Sequence, residues 1–213
     1  MLFRSISLEN ARDRVRRLLN QSNPQAFPYG RIGTDIGDLC NAIFSSRHNV
    51  VSSQLVCNQC NLDPQQQPTT SHMEVVSSTK SISLKQIIRS SQDQATQIPC
   101  GTCQTQCRLI RRYNNTPPIL AFNLQSSTIK ISKKITLKLD NSTSSNLVLR
   151  GIIYLGERHF IIRYIDNDRK VWFHDGITTG EKCEMACCLS NLTEIDLKKF
   201  KNAIAVMAIY TAI

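Results

Sequence analysis

Apolar and polar positions alternate regularly in the second half of the chain, which predicts β structure there. Apolar runs rich in Ile and aromatic residues cover 150–154, 160–165 and 171–173, and they are separated by Gly156 and by a polar turn at 166–168. Runs of this kind, bounded by turn residues, are typical of buried strands. The sequence therefore predicts a meander of three strands in this region.

Further stretches extend the predicted β structure on both sides of this meander. Residues 119–124 form an apolar run directly after two prolines, and apolar residues alternate with Lys and Thr over 129–139, as in strands with one exposed face. Residues 203–210 predict a buried strand, and 141–146 predict a polar loop. A loop or short helix is expected around Cys183, Cys187 and Cys188, whose thiols are interpreted as core packing or incidental thiols in preference to metal ligands.

Helical periodicity is confined to the first half of the chain. One apolar face predicts an amphipathic helix over 7–21, with four arginines on its other side. A second, shorter helix is predicted over about 35–45. After a polar loop at 65–71, a strand at 73–76 and a short helix capped by Ser83 are predicted.

Length and composition narrow the class of protein. A chain of 213 residues, 41% of them hydrophobic, can bury one sizeable core with a small appended module, and it is not a disordered tail. Nine cysteines and a start without an apolar signal sequence indicate an intracellular protein, in the cytoplasm or nucleus, with reduced thiols. The apolar run 203–213 is too short to span a membrane, so no membrane partner is expected.

The clearest chemical motif is a pair of Cys-x-x-Cys turns. Cys57 and Cys60 form the first turn and Cys100 and Cys103 the second, with 39 residues between them at 61–99. Each turn can direct two thiolates at one ion, and two such turns supply the four sulfurs of a closed tetrahedral zinc site. The sequence therefore predicts structural Zn²⁺ on these four cysteines, with an insert that has structure of its own.

Two other side chains leave the ligand set open. Cys107 offers an alternative pair with Cys103, and His72 can substitute for one of the cysteines. If the two turns do not meet, the four cysteines are unrelated reduced thiols instead.

One histidine and one aspartate lie at the strand ends of the meander. His159 opens the second strand, and Asp175 closes the third. These two side chains can meet across the sheet, where a carboxylate would orient the imidazole and fix its tautomer for base catalysis. The alternative is an edge-strand histidine and a turn aspartate without a joint role.

These motifs follow one another in a defined order along the chain. They are the first Cys-x-x-Cys turn, a helix opened by Ser83-Leu84, the second Cys-x-x-Cys turn, Pro-Pro-Ile-Leu-Ala-Phe-Asn-Leu at 117–124, His159-Phe160, Trp-Phe-His-Asp at 172–175, and Ala-Ile-Tyr at 208–210. This order resembles the ubiquitin-specific protease family, in which a zinc finger is followed by a palm strand, a His box, a Trp-to-Asp or Asn box and a closing strand ending in Tyr.

The resemblance implies an α+β fold: a partial papain-like ubiquitin-hydrolase fold with a mostly antiparallel palm sheet, a zinc-ribbon finger and a short N-terminal helical part. It divides one continuous domain into a helical remnant of the thumb at 1–48, a zinc-ribbon finger at 49–115 and a palm at 116–213. It also implies that ubiquitin or a ubiquitin-like protein is the partner. In that comparison His159 would be the base and Asp175 would orient it.

The chain departs from the family at the nucleophile. The family carries its cysteine upstream of the finger, in a Gly-Asn-x-Cys-Tyr-like turn at a helix N-terminus, where the helix dipole lowers the thiol pKa. Residues 1–34 contain no cysteine. Cys40 lies only 17 residues before Cys57, on the apolar side of the second predicted helix, and is interpreted as a core residue.

The His and Asp boxes also differ from the family pattern. Arg158 stands where the family has Gly, and Phe160 stands where it has Tyr. Asp175 comes three residues after Trp172 instead of four, and His174 offers a second imidazole in the same turn. The assignment of the orienting carboxylate is therefore looser than in the family.

Hydrolysis of an isopeptide bond by a cysteine enzyme needs a thiolate as well as an imidazole. We therefore expect a truncated or degenerate deubiquitinase-like domain that keeps the zinc finger and the His/Asp pair but is inactive alone. One alternative is a non-catalytic ubiquitin-binding scaffold, which would tolerate loss of His159.

The other alternative is a zinc-stabilised module that binds nucleic acid. The net charge of +10 and the pI near 9.3 are favourable for such a partner. However, the Lys and Arg residues are scattered along the chain, and no cluster of aromatic residues interleaves with them as base stacking requires.

Overall fold

The computed structural model describes most of the chain, at residues 8–29, 35–44, 50–60, 66–69, 73–157, 159–179 and 182–213. His72, the alternative zinc ligand, and Arg158 lie outside these ranges. The chain divides into two compact units, Met1–Phe44 and Ser45–Ile213. The division into thumb remnant, finger and palm stays a prediction.

The first unit contains two helices, α1 (Leu8–Ser22) and α2 (Ile36–Phe44). Both were predicted, and their bounds differ from the prediction by one residue at each end. Asp35 starts α2, because its Oδ1 accepts the backbone N–H groups of Gly37 at 2.7 Å and Asp38 at 3.1 Å. A carboxylate at this position satisfies donors that the first helical turn leaves free.

The second unit is mostly β structure with two short α-helices, α3 (Leu84–Ser91) and α4 (Glu194–Lys198). Its strands are β1 (Val51–Val56), β2 (Gln66–Thr69), β3 (Met73–Val76), β4 (Ile82–Ser83), β5 (Asp93–Pro99), β6 (Gln106–Tyr113), β7 (Ile119–Leu124), β8 (Ile129–Lys130), β9 (Lys134–Lys138), β10 (Ser144–Leu155), β11 (Phe160–Ile165), β12 (Lys170–His174), β13 (Glu184–Cys188), β14 (Lys199–Phe200) and β15 (Ala203–Ala212). None of the helices in the described ranges is long and apolar enough to cross a membrane.

Most of these strands belong to one large sheet. Seven strands lie side by side in the order β13-β12-β11-β10-β15-β7-β3, while β9 pairs with β10 and β14 pairs with β15. All these pairings are antiparallel except that of β3 with β7. The predicted meander is confirmed as β10, β11 and β12, and the predicted closing strand is β15, which lies in the middle of the sheet between β10 and β7.

The core of this unit packs between the large sheet and α3. Its largest fully buried side chains include Tyr154, Tyr210, Phe122, Leu84 and Ile88. The predicted cap of α3 is confirmed, because the Ser83 hydroxyl oxygen accepts the backbone N–H of Gln86 at 3.2 Å. The capping box orients α3 so that its apolar face, Leu84 and Ile88, enters the core.

Four strands form a second sheet in the order β2-β1-β6-β5, which we call the finger sheet. Glu74 of β3 connects the finger sheet to the large sheet through contacts with β6. The Glu74 carboxylate lies 3.4 Å from the Arg111 guanidinium on β6, and it also accepts the hydroxyl of Tyr113 at the end of the same strand. A charged and hydrogen-bonded contact of this kind fixes the direction in which the finger sheet leaves the large sheet.

Three predictions about polar or cysteine-rich stretches were wrong. The loop predicted at 65–71 contains β2, which pairs with β1, and the loop predicted at 141–146 gives way to β10 from Ser144. The loop or short helix predicted around Cys183, Cys187 and Cys188 is strand β13, paired with β12. In each case the segment is a strand because its backbone pairs with a neighbouring strand. Side-chain periodicity does not indicate such pairing.

Candidate functional site

The finger sheet brings the two Cys-x-x-Cys turns to one end. Strands β1 and β5 are both antiparallel to β6, so they run in the same direction. Cys57 follows the last residue of β1, and Cys100 follows the last residue of β5. The two turns therefore meet beyond the same edge of the sheet, as the spacing of the motifs predicted.

The four motif sulfurs form one compact group. The Sγ atoms of Cys57, Cys60, Cys100 and Cys103 all lie within 4.8 Å of one another. Those of Cys57 and Cys103 are 3.5 Å apart. Zinc–sulfur bonds of about 2.3 Å in a tetrahedron place sulfurs about 3.8 Å apart, so this set of sulfurs fits a four-thiolate metal ion.

Backbone groups of the turns support the sulfurs. The N–H of Gln59 donates to Cys57 Sγ at 3.4 Å. In the second turn the N–H of Cys100 donates to the Thr105 carbonyl at 2.8 Å, and that of Gln104 donates to the Cys100 carbonyl at 3.0 Å. Gln104 adopts a φ of 60°, which closes this tight turn. The sequence indicates these backbone donors only if each Cys-x-x-Cys motif is interpreted as a tight turn as well as a pair of ligands.

Hydrogen bonds shift the pKa values of two of these thiols in opposite directions. The hydroxyl and backbone N–H of Thr105 lower the pKa of Cys103 to about 6. Hydrogen bonding to the Cys103 sulfur, followed by burial and the Cys100 sulfur, raises the pKa of Cys60 to about 12. Four thiolates at this distance repel one another, and a bound divalent cation removes that penalty.

Cys107 lies beside this group without belonging to it. It is 8% exposed and packs with Cys57 and Cys100 in one buried cluster. Burial, the neighbouring sulfurs and a hydrogen bond with Cys100 raise the pKa of the Cys107 thiol. Sequence spacing left open whether Cys107 replaces a motif cysteine, and the structure groups the four motif cysteines together.

The meander places His159 beside Asp175. Ile162 of β11 pairs with His174 of β12 in antiparallel register, so the start of β11 lies next to the end of β12. His159 precedes β11 and Asp175 follows β12, and the His159 Nε2 lies 3.3 Å from the Asp175 Oδ1. The Nε2 atom is buried, and its contact with Oδ1 does not meet the geometry of a hydrogen bond.

The Asp175 carboxylate is held in place and kept ionised. Its Oδ1 accepts the backbone N–H of Ile177 at 3.0 Å, and its side chain is 4% exposed. This N–H, then the Thr178 hydroxyl and His159, lower the pKa of Asp175 to about 2 in spite of its burial. The sequence Asp-Gly-Ile-Thr-Thr at 175–179 is typical of a turn, in which an aspartate side chain accepts backbone N–H groups.

The remaining imidazole and thiol candidates lie in other settings. His174 Nδ1 is 3.1 Å from the Lys182 carbonyl oxygen and 3.3 Å from the Thr179 Oγ1, so this ring contacts the β12–β13 hairpin. Cys40 is 4% exposed, and burial and the charge of Asp35 raise its pKa to about 11. The interpretation of Cys40 as a core residue is confirmed by its burial, and its raised pKa is opposite to that of an activated thiol.

The lowered pKa of Asp175 predicts a dependence of stability on pH. Its folded pKa of about 2 lies below the ordinary value of 3.8, so the unfolded chain binds this proton more readily. Its contribution to stability is therefore complete above about pH 5 and is lost as the pH falls toward 2. We expect Asp175→Asn to unfold at a lower urea concentration than the wild type at pH 6, with a smaller difference at pH 2.5.

Fluorescence of Trp172, the single tryptophan, reports this unfolding from within the large sheet. Asp168→Asn is the matched control, because Asp168 lies in the β11–β12 turn with its side chain 78% exposed. Its urea midpoint should follow the wild type at both pH values. A difference for Asp175→Asn that does not change with pH would contradict the assigned pKa.

Comparisons at the level of sequence found no relative. Neither the protein-family models nor the curated proteins contain a match to this chain.

Solved structures do share its fold. A chain of the yeast SAGA DUB module with mutant Sgf73 is 15% identical, with a TM-score of 0.53 over 78% of this chain and 40% of that chain. A chain of the SAGA DUB module of Ubp8, Sgf11, Sus1 and Sgf73 bound to monoubiquitin is 15% identical, with a TM-score of 0.54 over 92% of this chain and 46% of that chain. A chain of the same module bound to ubiquitin aldehyde is 14% identical, with a TM-score of 0.54 over 96% and 49%.

These identities show the fold alone. The chain spans about half, or less, of the length of the chains it matches. Its mostly β architecture with few helices, and its four-cysteine cluster, agree with a ubiquitin-specific-protease-like fold. A mostly β, ubiquitin-specific-protease-like fold is therefore confirmed, while the papain-like palm and the zinc-ribbon finger stay predictions.

Proposed function

We propose that this chain is a deubiquitinase-like domain that binds ubiquitin or a ubiquitin-like protein. In this proposal His159 is a base, Asp175 orients it, and the four motif cysteines hold a structural zinc ion. The observation that carries the proposal is the 3.3 Å contact between His159 Nε2 and Asp175 Oδ1. This contact brings an imidazole and a carboxylate together at the ends of two adjacent strands.

The pair suits the activation of a thiol. At neutral pH the Asp175 carboxylate is ionised, because its pKa lies at about 2. An ionised carboxylate beside Nε2 favours the tautomer in which Nε2 carries the proton, so Nδ1 is the basic atom. The Nδ1 atom can then remove a proton from a cysteine, and the resulting thiolate attacks the carbonyl carbon of the scissile amide. The C–N bond breaks, and the imidazolium returns the proton to the leaving amine, so a thioester forms.

Among the described residues we identify no nucleophile for this step. Cys40 is buried with a pKa of about 11, and four of the other cysteines form the cluster in the finger sheet. We infer that His159 and Asp175 are an orienting pair without an attacking atom of their own. The chain alone is then a ubiquitin-binding domain that does not hydrolyse its partner.

Zinc would act in folding, not in the reaction. Four protein sulfurs complete a tetrahedral shell and leave no open position for water or substrate. The ion would be held by Cys57, Cys60, Cys100 and Cys103, whose sulfurs lie within 4.8 Å of one another. Reduced cysteines of this kind support the proposal of an intracellular protein, in the cytoplasm or nucleus.

The contacts of basic residues in the finger sheet argue against nucleic acid as a partner. Arg108 pairs with Asp93 at 2.7 Å, Arg111 contacts Glu74, and Arg112 donates to the Gln92 carbonyl at 2.7 Å. The basic residues of β6 are thus engaged within the protein. A phosphate-binding groove would require such side chains to point toward the ligand.

Binding and turnover of ubiquitin test the proposal. We expect immobilised ubiquitin to retain the purified chain, while a fluorogenic substrate built on the ubiquitin C-terminus shows no turnover above buffer. His159→Ala should bind ubiquitin within about threefold of the wild type, since the base contributes to chemistry more than to binding. Cys40→Ala is the matched control for the nucleophile.

Two results would contradict the proposal. Turnover by the wild type that disappears in Cys40→Ala would identify a nucleophile where we place a core residue. Absence of ubiquitin binding, together with an affinity for DNA or RNA that falls steeply with added salt, would favour the nucleic-acid-binding module.

A further inference from the structure

A fifth sulfur lies on the buried side of the candidate metal centre. Cys107 is the second residue of β6, and its exposed fraction of 8% contrasts with the exposed neighbours Gln106 and Arg108. Its side chain therefore points to the same interior that the motif sulfurs enter. The Cys107 carbonyl accepts the Thr96 hydroxyl at 2.8 Å, which holds this part of β6 against β5.

The register of the β5–β6 hairpin puts Cys107 next to Cys100. Pro99 pairs with Gln106, and the Cys100 N–H donates to the carbonyl of Thr105 on the other side of this pair. Cys100 and Cys107 are therefore diagonal neighbours on one face of the hairpin, a relation that brings side chains into contact. Both belong to the buried cysteine cluster, whereas Cys60 is only partly buried.

Four sulfurs thus form the centre, and a fifth, that of Cys107, packs beside it. Thiolate sulfur is the ligand that zinc prefers in structural sites, and a serine or a backbone group is a poor substitute. Cys107 presents the same ligand atom beside the most deeply buried of the four, Cys100, which is 2% exposed. A change of the Cys107 χ1 rotamer moves its sulfur without moving the strand.

We propose that Cys107 is a reserve zinc ligand that occupies the coordination position of Cys100 when that thiolate is lost. The inference rests on the zinc site of the proposed function. In the exchange the bond from zinc to the Cys100 sulfur breaks and a bond to the Cys107 sulfur forms. The proton that Cys107 releases balances the one that the Cys100 thiolate takes up, so the charge of the centre is unchanged.

Zinc retention by cysteine variants of the full chain tests this role. The variants are Cys100→Ser, Cys107→Ser, the double variant with both changes, and Cys60→Ser as the control on the partly buried side. Zinc per chain is measured after dialysis against a chelator, and affinity by competition with a chromophoric chelator. Cobalt(II), bound in place of zinc, reports the number of thiolate ligands through its charge-transfer absorption.

We expect Cys107→Ser to retain one metal ion like the wild type. Cys100→Ser should also retain about one, with affinity weakened by 10-fold to 100-fold and cobalt absorption of undiminished intensity. The double variant and Cys60→Ser should lose the metal at chelator concentrations that Cys100→Ser resists. A variant that does not fold is refolded from the reduced, denatured state during a zinc titration, because metal binding and folding are coupled.

The outcomes separate this inference from the zinc site itself. If the wild type binds no zinc, both fail. If the wild type binds one zinc ion and Cys100→Ser loses it or fails to refold as the double variant does, only the reserve ligand is overturned. Retention by Cys100→Ser and by the double variant alike would also overturn it, because the metal would then be held without Cys107.

Discussion

Removal of the zinc ion proposed for the four-cysteine cluster is expected to unfold the finger sheet while the large sheet stays folded. The far end of the finger sheet has little apolar surface to bury, because six of the seven residues of β5, Asp93–Pro99, are exposed. Its compact interior consists of the buried Cys57, Cys100 and Cys107 with the partly buried Leu55, Cys60 and Cys103. Zinc binding by four thiolates supplies on the order of 10 kcal/mol to folding, which this small cluster cannot replace.

Hydrogen exchange, with and without a strong chelator, measures this effect strand by strand. Backbone N–H groups of β1, β5 and β6 should lose protection on chelation, while those of β10 and β15 keep it. Elemental analysis of the untreated protein should find one zinc ion per chain.

The matched cysteine variants are Cys60→Ser, in the cluster, and Cys188→Ser, at an exposed position of β13. Only the first should release zinc and expose the finger strands. Much less than one zinc per chain in folded protein would contradict zinc binding by these cysteines, and a finger sheet that stays protected without metal would contradict its role in folding.

Local chemistry explains what the sequence predicted correctly. Each Cys-x-x-Cys turn is a complete motif. The two turns meet if the strands that precede them run in the same direction. Likewise, His159 and Asp175 flank adjacent strands of one meander, so their 3.3 Å contact follows from a single turn. Sites built from neighbouring elements can be derived from sequence, because little of the topology has to be known.

Pairings between distant segments were not derivable in the same way. Met73–Val76 was predicted as a strand inside the finger insert, but it pairs in parallel with β7 of the large sheet. Strand β13 was missed because its exposed residues show no alternation, and its partner β12 decides its conformation. The Glu74 contact with Tyr113, which links two sheets, depends on the long-range pairing of β3 with β7. Strand identity at such positions is set by tertiary context.

Truncation of Tyr210 is expected to destabilise the large sheet strongly. Tyr210 lies on β15 between β10 and β7, and its side chain is fully buried. Its ring packs edge-on against Phe122 with centroids 5.7 Å apart, and its hydroxyl donates to the Ser132 carbonyl at 2.7 Å. Tyr210→Ala removes this ring from a closed core and should cost about 3–5 kcal/mol, whereas Tyr210→Phe removes the hydrogen bond alone and should cost about 1 kcal/mol.

Urea unfolding followed through Trp172 fluorescence distinguishes these contributions, because this indole belongs to the same sheet. Tyr164→Ala is the matched control: Tyr164 is 41% exposed on β11 and stacks on Trp172, so its loss should cost about 1 kcal/mol. A cost for Tyr210→Ala no larger than that of the control would mean that β15 does not carry the centre of the core. The sheet that aligns His159 with Asp175 would then need another source of stability, since β15 and β11 flank the same strand, β10.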